Sequence, residues 1–288
     1  MDKLDQFFDR AERLIDRLEA VLPSASPTTC VEWEDALAFR WERRSSKRAL
    51  RPLRHLHPIR LDDLRGIEGQ KLRVVQNTKQ FVAGRPANNV LLTGARGTGK
   101  SSLVKAVLNA YADQGLRLIE VGKTELVDLP DIVELVATRP ERFILYCDDL
   151  AFNAEEPGYQ ALKAALDGSV TALSDNLLIY ATSNRRHLMP EFMEENLATR
   201  YVGEEVHPAE GVEEKISLSE RFGLWVSFYP FSQDEYLDIV CYWLHRLDPA
   251  QTFDENVRRE ALQWSLGRGS RSGRVAWQFA RDWIGRME

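Results

Sequence analysis

The chain predicts an α/β fold: a parallel five-stranded sheet between helices, with a small helical domain after it. Three observations carry that expectation. Short apolar strands alternate with helical stretches and lack the period-two pattern of a half-exposed sheet, so both sheet faces must be covered. The octapeptide Gly94-Ala95-Arg96-Gly97-Thr98-Gly99-Lys100-Ser101 sits between a strand and a helix and fits the pattern G-x-x-x-x-G-K-[ST]. A third apolar strand, at 143–147, runs straight into Asp148-Asp149.

At 288 residues the chain has room for a core domain and a smaller one. The boundaries expected are a helical, basic extension over 1–55, an α/β nucleotide-binding domain over 56–230 and a helical lid over 231–288. Residues 4–22 place Leu4, Phe7, Phe8, Ala11, Leu14, Ile15, Leu18 and Val21 at helical spacing, and Pro23 to Pro27 ends the run. Residues 31–51 read as partly helical with a basic end. There Arg40, Arg43, Arg44, Lys47, Arg48, Arg51 and Arg54 interleave with Phe39 and Trp41. A solvated helix face explains these residues better than a nucleic-acid patch.

A helix over 70–82 and a turn at 84–88 lead to the first sheet strand, 89–93. Beyond the octapeptide come a helix over 102–111, a strand at 117–121 and a helix over 129–137. The third strand, 143–147, precedes a helix over 159–166 and a fourth strand, 176–182. Residues 189–217 break the rhythm with eight glutamates and read as a long acidic loop with one helical piece. The fifth strand is 224–228. After Pro230, helices over 233–247, 254–265 and 274–287 form the lid.

The balance of 44 acids against 38 bases, net -6, neither demands nor excludes a nucleic-acid partner. Cys30, Cys147 and Cys241 are odd in number and far apart, and read as free thiols in a reducing compartment. Nothing resembles a signal peptide or a membrane span, so a soluble, cytoplasmic protein is expected.

A glycine-rich turn entering a helix aims backbone N–H groups and the positive end of the helix dipole at one point, which suits phosphate. Lys100 is expected to reach the β and γ phosphates, while Ser101 and Asp148 hold Mg²⁺. Asp149 is the candidate to orient and deprotonate an attacking water. Asn184, ahead of Ser183, would meet the γ-phosphate or that water from the end of the fourth strand. Arg221, before the fifth strand, could reach a neighbour's nucleotide, and Arg274, at the start of the last helix, could close over the phosphates.

In this order the octapeptide, Asp148-Asp149, Asn184, Arg221 and Arg274 resemble the AAA+ ATPases, a branch of the P-loop NTPases, over about Leu61 to Met287. They would be Walker A, Walker B, sensor 1, arginine finger and sensor 2. Leu64-Arg65-Gly66-Ile67 resembles the adenine-side segment, with Gly66 and Ile67 lining the base pocket. The resemblance implies ATP/ADP and Mg²⁺ binding through Gly94 to Ser101 and Ser102, a homo-oligomer joined by the finger, and a protein client. A narrower likeness runs from Trp41 to Trp283. It rests on Asn88-Asn89-Val90-Leu91-Leu92, the octapeptide with Ser102-Leu103, Tyr180 to Leu188 and Arg221-Phe222-Gly223-Leu224. It is to a bacterial AAA+ family known as domain of unknown function eight-fifteen and described only as ATP-binding.

The chain departs from the wider pattern at three places. Asp149 stands where Glu is common, one methylene shorter, and Asp-Asp also occurs in the replication-initiator branch. Arg96 occupies a position that is often Pro. Residues 121–126 carry no aromatic-hydrophobic-Gly tripeptide for gripping a threaded polypeptide. The expected function is a slow or partner-stimulated ATPase acting as an assembly switch. The alternatives are a DNA-associated loader or initiator, suggested by Arg40 to Arg54 and Arg185-Arg186, and an ATP-gated interaction module with negligible hydrolysis.

Overall fold

The computed structural model describes residues 33, 36–44, 47–152, 156–167, 174–184, 200–202, 205–207 and 218–286. It opens with an antiparallel hairpin, β1 (Ala38–Arg44) and β2 (Lys47–Pro52). This corrects the partly helical reading of 31–51 and the helical character given to that part of the extension. Phe39, Trp41 and Leu50 are buried and alternate with charged neighbours, which is the period of a strand. Trp41 pairs across the hairpin with Leu50. The helix expected at 4–22, Cys30 and Arg185-Arg186 lie outside the described residues.

The next elements follow the predicted order. They are α1 (Glu68–Val82), β3 (Val90–Gly94), α2 (Lys100–Tyr111), β4 (Leu116–Glu120), α3 (Leu129–Ala137), β5 (Arg142–Cys147), α4 (Pro157–Leu166) and β6 (Leu177–Ser183). Within the expected acidic loop, β7 (Arg200–Val202) and β8 (Glu205–His207) pair as an antiparallel ribbon, which corrects the loop reading at those residues; the rest of 189–199 and 208–217, with the helical piece expected there, lies outside the described residues. Then come β9 (Leu224–Phe228) and the three lid helices α5 (Gln233–Leu247), α6 (Glu255–Gly267) and α7 (Gly273–Arg286).

The expected five strands run parallel in the order β4-β5-β6-β3-β9, and the hairpin extends them to a seven-stranded sheet of order β2-β1-β4-β5-β6-β3-β9. Side-chain alternation splits the apolar residues between two cores. Val90, Leu92, Ile144, Tyr146 and Tyr180 pack with the α1, α2 and lid side. Leu91, Phe143, Leu145, Cys147 and Ile179 pack with the α3 and α4 side. Among the described residues no helix is long and apolar enough to cross a membrane.

The hairpin is bound to the body of the sheet by polar contacts as well. The Trp41 indole N–H donates to Asp128 Oδ2 at 3.1 Å. Arg48 pairs with the other oxygen of that buried carboxylate at 3.0 Å and also with Asp131. Arg40 pairs with Glu120 at 3.0 Å, and within the hairpin itself Arg51 pairs with Glu42 at 3.5 Å. Three of the basic residues in the stretch therefore face acids of their own chain.

At the end of β3 the chain passes so close to β9 that only glycine fits. Gly94 has φ +127°, and a β-carbon there would lie 1.9 Å from the Phe228 carbonyl oxygen. Gly94→Ala should cost more than about 3 kcal/mol in chemical denaturation or prevent folding, since strained backbone and a backbone clash add.

Candidate nucleotide-binding site

Parallel strands that end at the same level bring the residues after them together at one sheet edge. Here β3 delivers the octapeptide, β5 delivers Asp148 and Asp149, and β6 delivers Ser183 and Asn184. The register Cys147↔Ala181 sets Thr182 beside Asp148.

A closed circuit of hydrogen bonds joins these ends. The Lys100 ammonium donates to the carbonyls of Gly94 and Ala95, both at 2.7 Å, and to Asn184 Oδ1 at 3.1 Å. The Asn184 amide donates in turn to Asp149 Oδ1. That orientation is the one that satisfies both neighbours, a cation on one side and a carboxylate on the other. The Asp149 backbone N–H donates to Thr182 Oγ1 at 2.9 Å, and the Thr182 hydroxyl donates to Asp148 Oδ1 at 2.5 Å. Ser101 Oγ donates to the same Asp148 oxygen at 2.8 Å, which returns the circuit to the residue after Lys100. Asp149 is held at φ 52°, a left-handed conformation that Asp tolerates better than most residues.

Charge follows the geometry. Burial lowers the proton affinity of Lys100, with Arg274 and Arg96 adding to the effect, while Asp149 and Asp148 oppose it. Burial alone would raise the Asp148 carboxyl. The hydroxyls of Thr182, Tyr146 and Ser101 and the charge of Lys105 outweigh it and hold Asp148 below its ordinary range. Asp148 is therefore an ionised oxygen donor beside a serine hydroxyl, a donor set that suits a hard cation such as Mg²⁺.

The lid completes one wall. Ser272 and Arg274 flank Gly97 so closely that a β-carbon at Gly97 would sit 2.8 Å from Ser272 Oγ and 3.4 Å from the Arg274 β-carbon. Gly66 and Ile67 lie on the same side: Gly66 abuts the Phe231 ring, and Ile67 reaches toward Gly99. A cleft of about 520 Å³ opens there between Ala95, Arg96 and Thr98 of the octapeptide and Phe231, Leu266 and Arg271 of the lid side. Ser102 is half-buried in the first turn of α2. The expected set of Gly66, Ile67, Gly94 to Ser102, Asp148, Asp149, Asn184 and Arg274 is thus brought together.

Arg221 is not in that set. It precedes β9, whose register Leu224↔Val90 and Phe228↔Gly94 puts Arg221 at the opposite end of the sheet from the octapeptide. Five strand residues separate the two ends by about 16 Å. Arg221 pairs instead with Asp167 after α4. Sequence reasoning also passes over Thr182, Tyr146, Phe231 and Ser272. The signal for Thr182 is its place in the strand; what the sequence lacks is the register that sets it against Asp148.

This arrangement is the AAA+ type of P-loop NTPase fold. Among solved structures, the chain is similar to a point variant of Thermotoga maritima RuvB, at 15% identity and a TM-score of 0.50, covering 78% of this chain and 63% of that one. It is likewise similar to the Aeropyrum pernix ORC1 protein in complex with DNA, at 16% identity and a TM-score of 0.52, covering 78% and 62%. The chain thus spans less than two thirds of the length of these structures. No curated protein matches. A family model described as "Protein of unknown function (DUF815)" matches residues 34–287, and the chain belongs to that family.

Thr182→Val would leave the Asp149 N–H and the Asp148 carboxylate each short of a partner. It should cost about 1–3 kcal/mol in denaturant unfolding, whereas Thr182→Ser, which keeps the hydroxyl, should cost less than about 1 kcal/mol.

Proposed function

We propose that the protein binds ATP with magnesium and uses it as an assembly switch, with slow or partner-stimulated hydrolysis. The observation that carries this is the closed circuit linking Lys100 and Ser101 to Asp148, Asp149 and Asn184. These residues meet at the mouth of a glycine turn that opens α2, where backbone N–H groups and the helix dipole favour an anion. Lys100 would release the Gly94 and Ala95 carbonyls and turn to the β and γ phosphates. Ser101 and Asp148 would hold the metal, which supplies charge neutralisation across those phosphates.

Asp149 is the group that would take a proton from water, and Asn184 the one that would hold the γ-phosphate. In the structure the two are bonded to each other, so each must let go before acting. That engagement and the short aspartate side chain favour slow turnover. Arg274 would report phosphate to the lid, because α7 already rests on Gly97. Arg221 lies too far from its own site to act there, so its proposed phosphate is a neighbouring subunit's, which makes the interface heterologous.

Polypeptide threading and the DNA-associated alternative both gain less. The segment that would serve as a threading loop is a 3-10 helix, Lys123–Asp128, pinned by Trp41 and Arg48 through Asp128 and by a Lys123–Glu156 ion pair. Its packing suits a wall rather than a moving grip. The acid partners of Arg40, Arg48 and Arg51 likewise weaken the case for a DNA-binding stretch. The ORC1 similarity shows the fold alone.

Lys100→Ala should weaken ATP binding in calorimetry at least about tenfold, equivalent to about 1.4 kcal/mol. Unchanged affinity would sink the proposal. Asp149→Asn should keep ATP binding and lose phosphate release, while Asp149→Glu should release phosphate faster than wild type. If neither substitution changes a wild-type rate already at background, the protein is an ATP-gated interaction module.

A further inference from the structure

Tyr146 is a further side chain at this site. It stands two residues before Asp148 on β5, so strand alternation turns both side chains to the same face of the sheet. Its own register partner is Tyr180, which places it one strand step below the Asp148 and Thr182 pair. The residue is 2% exposed, and its ring belongs to the core under α1 and α2. Its hydroxyl comes up beside Asp148, Ser101 and Thr182. Among the described residues that oxygen has no hydrogen-bond partner at proper geometry.

A phenylalanine would fill the same space without the penalty of an unpaired buried hydroxyl. The hydroxyl stands close enough to Asp148 to favour its ionised form, yet it falls short of a proper hydrogen bond in the ligand-free protein. A tyrosine hydroxyl is protonated at neutral pH, so toward a carboxylate it can act only as a donor. Asp148 Oδ1 already accepts from Ser101 and Thr182, which leaves its second oxygen to be oriented. Outer groups that orient a metal ligand commonly change metal affinity about 10-fold to 100-fold.

We propose that Tyr146 is a positioning residue: its hydroxyl donates to the Asp148 carboxylate when the site is loaded, and so sets how strongly magnesium enhances ATP binding. This rests on the ATP and magnesium reading of the site.

The test compares ATP affinity in magnesium and in EDTA for wild type, Tyr146→Phe and Asp148→Asn, alongside the melting temperature of each ligand-free protein. Tyr146→Phe should cut the magnesium enhancement about 3-fold to 10-fold or more while leaving the EDTA affinity within about twofold. Its melting temperature should be unchanged or higher, because an unpaired buried hydroxyl has been removed. Asp148→Asn should abolish the enhancement. A Tyr146→Phe protein that keeps the full enhancement, beside an Asp148→Asn protein that loses it, overturns the role of Tyr146 and leaves the site reading standing. A Tyr146→Phe protein that melts well below wild type and loses EDTA affinity in parallel also overturns it, since the role is then structural. A wild type without any magnesium enhancement overturns the site reading and this inference with it.

Discussion

The hydroxyl of Thr182 is the small group on which the site depends. It donates to Asp148 and accepts from the Asp149 backbone, so both of its bonding directions are used between two adjacent acids. The first bond steadies the carboxylate that faces Ser101, and the second keeps the strand-to-loop turn in the left-handed conformation at Asp149. That turn aims Asp149 at Asn184 instead of along the strand. A valine has nearly the same shape and would pack equally well, so the core does not require the hydroxyl. The requirement comes from the two acids, which stand next to each other in the chain and repel each other unless neighbouring donors divide their charge.

The sheet itself sets the level at which these residues meet. Three adjacent strands, β5, β6 and β3, are mostly apolar and run out at the same edge into Asp148-Asp149, Ser183-Asn184 and the octapeptide, so the chemistry collects where they stop. The nearly complete burial of β6 and the contact of Gly94 with Phe228 leave little room for the strands to slide. Fixed register in turn fixes which β6 residue meets Asp148. The lid then rests on this frame through Gly97, where a missing side chain allows α7 to approach the octapeptide.

Much of this is legible in the chain because local patterns carry it. The five parallel strands, the glycine turn and the three lid helices each have a signature within a dozen residues. The hairpin escapes a local reading although its alternation of Phe39 and Trp41 with Arg40 and Glu42 has the period of a strand. A high density of arginine makes charge the louder signal there and hides the period. The partners that explain those charges, Glu120, Asp128 and Asp131, are about eighty residues away and cannot be foreseen from local sequence. Thr182 and Tyr146 escape for the same reason, since their importance depends on which strand lies next to which.

The position of Arg221 bears on why the circuit is closed in the isolated chain. Lys100 faces carbonyls of its own loop, Asn184 is bonded to Asp149, and Arg221 is bonded to Asp167 at the far end of the sheet. These three groups proposed to act on phosphate are therefore each occupied by a local partner. A nucleotide can compete for the first two because they lie at its site, but it cannot reach the third. On the proposed reading, releasing Arg221 needs a second molecule that offers it phosphate and displaces Asp167. A single chain could then fill its site without completing it, and ATP binding and subunit contact would be coupled through two separate sets of broken bonds.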